Sequence, residues 1–224
     1  MSGNEFRDLY TERADSYLRF VRALGYPLVL RSYFRRCPFL RPGLRILDAG
    51  CGTGIASLAI RDALIERGFH PAGIDAFDLT PAMLNRFRAT LAERGIRDVQ
   101  LAEANVLALD ALPASWTGYD LIISASMLEY VPRESLPAAL SGLRARLNQT
   151  GAMVLFITRK NWLMKPLIER WWSANLYTRP ELLGAFTQAG FATVEFAHFP
   201  PLFRPFHLWA HIVEARPPLS PTNT

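Results

Sequence analysis

Ile46-Leu47-Asp48-Ala49-Gly50-Cys51-Gly52-Thr53-Gly54 is the stretch from which the rest of the chain is best read. It runs as a short apolar strand, an acidic residue near its end, and glycines at alternate positions opening a helix-like apolar period. Glycine lets a backbone turn sharply and lets a ligand lie directly against it. The helix that follows offers its first N–H groups to anionic or polar ligand groups. The spacing is G-x-G-x-G, whereas a dinucleotide-binding fingerprint, G-x-G-x-x-G, would require glycine at 55, where Ile55 stands. Asp48, two positions before the first glycine, is placed to face a cationic amino group rather than a pyrophosphate.

Working outward, helical and strand periods alternate from residue 44 to residue 158. Leu44–Leu47 is expected as a strand and Ile55–Arg67 as a helix, with Gly68 beyond its end. Pro71–Phe77 reads as a second strand. Thr80-Pro81 is a helix N-cap followed by proline at the first helical position, and Leu84, Phe87 and Leu91 form one apolar stripe. Val99–Ala102 and the nearly all-apolar Tyr119–Ser124 are further strands. Ser135–Leu147 is expected as a helix and Ala152–Thr158 as a fifth strand. Strands alternating with helices imply right-handed crossovers and a parallel sheet. Thr178-Arg179-Pro180-Glu181 has capping-box spacing and opens a helix running to Gly190. Phe191–Phe199 and His207–Ala215, separated by Pro200, Pro201 and Pro205, read as a hairpin-like antiparallel edge.

Composition sets the bounds. The chain has 224 residues, half of them hydrophobic, enough for one α/β core. No apolar run approaches the ~18 residues that a bilayer requires. Met1 to Asp15 is polar and charged, unlike a secretory signal. Cys37 and Cys51 lie far apart and suggest neither a disulfide framework nor a metal site, so a cytoplasmic location is expected. The net charge of +5 comes largely from scattered arginines and reads as solvated surface rather than a nucleic-acid patch.

Asp48 through Gly54 resembles the glycine-rich signature of the class I S-adenosylmethionine-dependent methyltransferases, and Asp78-Leu79-Thr80-Pro81-Ala82-Met83-Leu84 resembles their second signature. The resemblance covers residues 44–216. It implies a three-layer, doubly wound, seven-stranded and mostly parallel sheet with an antiparallel last strand. The chain then divides into an N-terminal helical cap (1–43), an S-adenosylmethionine-binding methyltransferase domain (44–216) and a loose tail (217–224).

Ligands of such sheets bind at the carboxyl ends of the strands, so the residues there carry the expected cofactor contacts. After the first strand these are Asp48, Gly50, Cys51, Gly52, Thr53 and Gly54. After the second comes Asp78, whose carboxylate can accept both ribose hydroxyls, with Leu79 and Met83 beside it. Asp75 competes for that role, and the resemblance favours Asp78. After the third come Asn105 and Val106, Asn105 standing where the family usually has an aspartate for the adenine amino group. After the fourth come Ser124 and Ala125. Leu9–Tyr17 resembles the family's lead helix, in which Tyr17 or Tyr10 would meet the methionine carboxylate.

The acceptor follows from exclusions. Ser124-Ala125-Ser126-Met127 replaces the Asp/Asn-Pro-Pro-aromatic signature of DNA amino-methylating enzymes. Cys37-Pro38 is the reverse of a cytosine-C5 nucleophile, and Glu129 lacks the second glutamate of arginine methylation. The remaining class is a small, apolar or aromatic acceptor, a lipophilic one included, methylated by in-line displacement. Glu129 and Tyr130 are the candidate acceptor contacts, and no metal is expected. The segments Tyr26–Leu40 and Trp162–Trp172 read equally as acceptor cover, with Tyr33, Phe34, Phe39, Trp162, Trp171 and Trp172 as its aromatics, or as amphipathic helices packed on the sheet. Peripheral membrane contact is their third reading. The histidines, His70, His198, His207 and His211, read as structural. Transfer of another group from the same cofactor or its decarboxylated form, or non-catalytic cofactor binding, is the alternative function. Oligomeric state is not legible.

Overall fold

The computed structural model describes residues 25–160 and 174–218. The expectations placed on Tyr10, Tyr17, the stretch 162–172 and the last residues of the tail lie outside the described residues. The elements, in chain order, are α1 (Tyr26–Phe34), β1 (Arg45–Ala49), α2 (Ile55–Glu66), β2 (Gly73–Asp78), α3 (Pro81–Glu93) and β3 (Val99–Glu103). They continue with β4 (Tyr119–Ala125), α4 (Leu136–Arg144), β5 (Leu147–Thr158), α5 (Arg179–Gln188), β6 (Thr193–Ala197) and β7 (Ala210–Arg216). One seven-stranded sheet has the order β3-β2-β1-β4-β5-β7-β6. β1 to β5 pair in parallel, and β7 lies antiparallel between β5 and β6.

Alternation along the strands fills both faces, as a doubly covered parallel sheet requires. On one face Leu47, Ala49, Ile122, Met153 and Leu155 meet α4 and α5 through Leu140, Leu143, Leu182 and Phe186. On the other, Ile46, Ile74, Ile123, Val154 and Phe156 meet α1 and α2 through Leu30, Phe34, Ile60 and Leu64. A smaller cluster seats α3 on β2 through Ala76, Leu84, Phe87 and Leu91. The sheet order reverses between β1 and β4, which opens a crevice at the carboxyl ends of those strands.

Local chemistry explains the boundaries. Thr80 is extended and Pro81 starts α3 with its φ already helical. At α5 both halves of the capping box are made: Thr178 accepts from the Glu181 N–H, and the Glu181 carboxylate accepts from the Thr178 N–H.

Three sequence expectations need correction. The helix expected over Ser135–Leu147 ends at Arg144, and β5 begins at Leu147. The ladder with β4 passes from Tyr119↔Leu147 to Leu121↔Ala152, so several residues bulge opposite Asp120. Asn148 holds this bulge by donating to Asp120 Oδ1 (2.7 Å) and accepting from the Thr150 N–H (2.9 Å). Second, the two C-terminal strands are shorter than expected, because Pro201–Leu208 forms 3-10 turns between them. Third, Tyr33 and Phe34 do not line an open pocket. Both pack edge-to-face on Phe156, and the Tyr33 hydroxyl donates to Glu214 Oε1 at 2.6 Å. Arg35 is committed too, since it and Arg31 both pair with Glu66. Of the readings given to this segment, the amphipathic helix packed on the sheet is the one that α1 fits.

The capping box yields a test. Thr178→Ala should destabilise the protein by about 1 kcal/mol, read as the midpoint of urea unfolding, with Thr178→Ser close to wild type. Equal loss in both variants would mean that the threonine methyl group, not the hydroxyl, holds the helix start.

Candidate functional site

The glycine turn is held from beneath by the end of β2. The N–H groups of Gly50 and Cys51 both donate to the Phe77 carbonyl, at 2.8 and 2.9 Å. Two of its glycines are places where another chain segment sits. A Cβ on Gly50 would lie 2.2 Å from Met127 Cγ, and one on Gly54 would lie 2.1 Å from the Phe87 ring. Gly52 differs, since a Cβ there would meet nothing within 4 Å. The exposed side of the turn at Gly52 is therefore open backbone, free for a ligand to lie on.

Two carboxylates frame this turn. Asp78, at the end of β2, accepts from the Gly52 N–H through Oδ2 and from the Thr80 N–H through Oδ1, both at 2.8 Å. One side chain thus ties the glycine turn to the start of α3. Burial raises its pKa, and the two N–H donors oppose that shift. Asp75, the competing candidate, sits inside β2 opposite Leu47 and accepts from the Tyr119 hydroxyl at 2.7 Å. Its carboxylate is occupied within the fold.

Asp48 is fully buried. Its Oδ2 accepts from the Ser57 hydroxyl at 2.5 Å, and the Ser57 N–H supports it as well. Oδ1 has no partner. Burial pushes the carboxyl up to about 7. The Thr53 hydroxyl, in the same turn, is likewise buried without a partner. Orphaned buried polar atoms are uncommon and call for a reason, and these two lie at the mouth of the crevice between β1 and β4.

The remaining expected contacts are distributed around the same edge. Asn105 is exposed after β3, and its Oδ1 accepts from the Leu107 N–H at 2.9 Å. That bond uses one lone pair of the oxygen expected to face a ligand and leaves the amide N–H₂ as its outward donor. Val106 and Met83 are buried, while Leu79 is 38% exposed. Ser124 is buried and donates to the Ala49 carbonyl at 2.9 Å, so it pins β1 to β4 and only its backbone can face a ligand. Ala125 is half-buried. Cys51 is a buried free thiol, as is Cys37. His207 accepts from the Phe199 N–H at 3.1 Å, and buried His211 is held down to about 4 by desolvation.

Sequence reading missed Leu107 here, and it placed Tyr26 in the covering segment and Ser126 in the loop after the fourth strand without joining the two. Tyr26 enters from α1, its hydroxyl 3.2 Å from Ser126 Oγ, and its phenol feels the charges of both Glu129 and Asp48. Ser126, the turn residue after β4, has φ 56°, a strained conformation for a residue with a side chain. Leu107 is 44% exposed on the loop after β3. Only Leu107 carries a sequence signal, as a large apolar residue in a polar loop. Glu129 is buried where α1, β5 and the loop after β4 meet. Its Oε2 accepts from the Thr158 N–H and its carbonyl from the Asn175 N–H, both at 2.8 Å. Burial pushes its carboxyl up to about 7. Tyr130 packs against Ala174 and Leu176. Among the described residues, no group of three or more metal-ligating side chains is present.

Comparison with known proteins fits this geometry. Residues 46–151 match the family model described as a methyltransferase domain. A ubiquinone biosynthesis O-methyltransferase of Paracidovorax citrulli is 37% identical over 117 residues, covering 52% of this chain and 44% of that protein. A carboxy-S-adenosyl-L-methionine synthase of Psychrobacter arcticus is 26% identical over 187 residues, covering 76% and 68%. The chain thus spans less than half the length of the first of these relatives. Among solved structures, a phosphoethanolamine N-methyltransferase 2 of Haemonchus contortus, bound to phosphomonomethylethanolamine and S-adenosylhomocysteine, superposes with TM-score 0.71 at 15% identity, over 95% of this chain and 60% of that one. The S-adenosylmethionine-dependent methyltransferase SibL superposes with TM-score 0.69 at 20% identity, over 90% and 58%. At such identities the likeness is one of fold.

The buried carboxyls make stability depend on pH in a stated direction. With Asp48 raised to about 7, the folded chain holds its proton more tightly than the unfolded chain does. Its contribution is greatest below the unfolded pKa, about 4, and is lost as pH rises through about 7. Asp48→Asn should flatten the fall in unfolding free energy across that window by roughly 1 kcal/mol per pH unit. Urea titrations at a series of pH values measure this. An unchanged slope would show that Asp48 does not carry the proton.

Proposed function

The chain carries a methyltransferase domain of the class I, S-adenosylmethionine-dependent family, and on that premise we propose that it binds S-adenosylmethionine at the carboxyl edge of β1 to β4 and transfers its methyl group to a small acceptor. The observation that carries this reading is the unpartnered Oδ1 of fully buried Asp48 beside an open glycine turn. A cationic amino group donating to Oδ1 would satisfy the orphan and lower the cost of ionising the carboxyl. A pyrophosphate in that position would meet a carboxylate instead.

The other residues fit the same ligand. Asp78 keeps acceptor capacity beyond its two N–H bonds and faces the ribose hydroxyls. Leu79 and Leu107 offer apolar faces to the adenine, with Val106 behind them and Asn105 at its polar edge. Thr53 and the N–H groups at the start of α2, where Gly54 supplies no side-chain cap, remain for the polar end of the ligand. When bound, the cofactor supplies a methyl group on a positively charged sulfur. The chain's part is to align the acceptor with that methyl group and to accept any proton the acceptor loses. Glu129, buried near Tyr26 and Asp48 with a carboxyl near neutrality, is our candidate for the proton, and Tyr130 for acceptor contact.

A relatives' name supports a second reading. Several similar proteins are carboxy-S-adenosyl-L-methionine synthases, which modify the cofactor itself. Mass spectrometry of the turned-over cofactor separates the two: methyl transfer releases S-adenosylhomocysteine, and the other reaction releases a carboxylated sulfonium.

Two measurements test the main reading. Calorimetry should detect S-adenosylmethionine and S-adenosylhomocysteine but not NAD. Asp78→Ala should weaken binding by ~1.5–3 kcal/mol, while Asp75→Ala leaves it near wild type. Because Asp78 also holds two backbone N–H groups, its loss should lower the thermal midpoint of the free protein as well. Saturable NAD binding with no response to either sulfur nucleoside would overturn the assignment. Once an acceptor is found, kcat/KM should rise as pH climbs through about 7 while Glu129 ionises. Glu129→Gln should remove that limb and cost ~10²–10⁴-fold. A slow variant that retains the limb would make Glu129 a clamp on Thr158 and Asn175 instead.

A further inference from the structure

The turns between β6 and β7 present an apolar and cationic surface that the catalytic reading does not use. In Pro201–Leu208, Phe203 and Phe206 are half-buried in the core beside Trp209, and they anchor the segment. This leaves Leu202 84% exposed and Leu208 59% exposed, the two most exposed large apolar side chains of the segment. Folding gains nothing by leaving a leucine that open, and two in one short turn invite an apolar environment.

Several cationic groups gather at the turn. Arg204 lies within it, exposed between the prolines. His207 is surrounded by His198, Arg159, Arg179 and Arg204, all close enough to act on its ring. Arg159 is fixed there by donating to the His207 carbonyl at 3.0 Å, and Arg179 lies 5.1 Å above the Phe196 ring. Lys160 follows Arg159 and is exposed. Glu181, on which Lys160 acts, is already taken by Thr178 and Arg133.

We propose that this turn is a docking surface for an anionic lipid bilayer, with Leu202 and Leu208 entering the acyl boundary while Arg204, Arg159, Arg179 and Lys160 meet the headgroups. Leucines at the tip and guanidinium groups behind them match the two layers of a membrane interface, apolar inside and negative outside. Among the described residues no helix is long and apolar enough to cross a membrane, so the contact is interfacial. Prolines at 200, 201 and 205 stiffen the turn and lower the entropy lost on insertion. The inference is independent of methyl transfer.

Flotation of the full chain with vesicles decides it. Vesicles of phosphatidylglycerol mixed with phosphatidylcholine should carry the protein upward, and pure phosphatidylcholine should not. High salt should weaken the association. Leu202→Asp with Leu208→Asp should reduce the vesicle-bound fraction about tenfold or more, with thermal midpoint and circular dichroism unchanged. Arg204→Glu should weaken binding without abolishing it. No flotation at low salt, or flotation indifferent to all three substitutions, would overturn the proposal. So would sedimentation velocity showing a self-associated wild type that the leucine substitutions turn monomeric without any vesicle binding, since a second copy would then be the occupant.

Discussion

A carboxylate buried in an apolar sheet is the constraint around which this site is arranged. Asp48 pairs across to Ala76 on β2 and Ile123 on β4, and among the described residues only Ser57 offsets its desolvation. Burying a charge without a full set of partners is costly, so the free chain keeps the carboxyl near neutrality, where a proton can substitute for a ligand. Everything adjacent serves to keep the place dry and fixed. Met127 fills the space above Gly50, Phe87 closes against Gly54, and Ser124 locks β1 to β4 beneath it. The instability is local, and on the proposed reading an incoming cation would relieve it.

Asp78 plays the opposite part. Its two backbone bonds make it structural before any ligand arrives, joining the glycine turn to α3. In the proposed reading a single residue would therefore link the shape of the loop to the recognition of the ligand on it. This also explains why Asp75, chemically identical and three residues earlier, is no substitute: it is held inside the strand by Tyr119.

Much of this was legible in the sequence because it rests on local chemistry. The glycine spacing, Thr80-Pro81 at α3 and the Thr178–Glu181 box at α5 are decided within a few residues of chain, and each stands where its residues indicate. What the sequence left open depends on distant contacts. Tyr33 and Phe34 have the composition of a pocket lining, and only the approach of Phe156 makes them core. Tyr26 reaches Ser126 across a hundred residues, and nothing near either marks the pair. The strain at Ser126 has no residue signature, because glycine would be the expected choice there. The bulge before Ala152 has no local signature either, because Asn148 stabilises it through a side chain on another strand, Asp120.

The order of strands has a consequence for how the chain comes off the ribosome. β7, which emerges after both of its neighbours, occupies a place between β5 and β6. Until residue 216 is out, β6 has no neighbour to pair with, and β5, apolar from Ala152 to Ile157, shows a bare hydrogen-bonding edge on one side. Such an edge is a template for other chains. On the β4 side β5 pairs as soon as the parallel sheet forms, so its opposite edge is where the folding chain is most open to other chains until β7 docks.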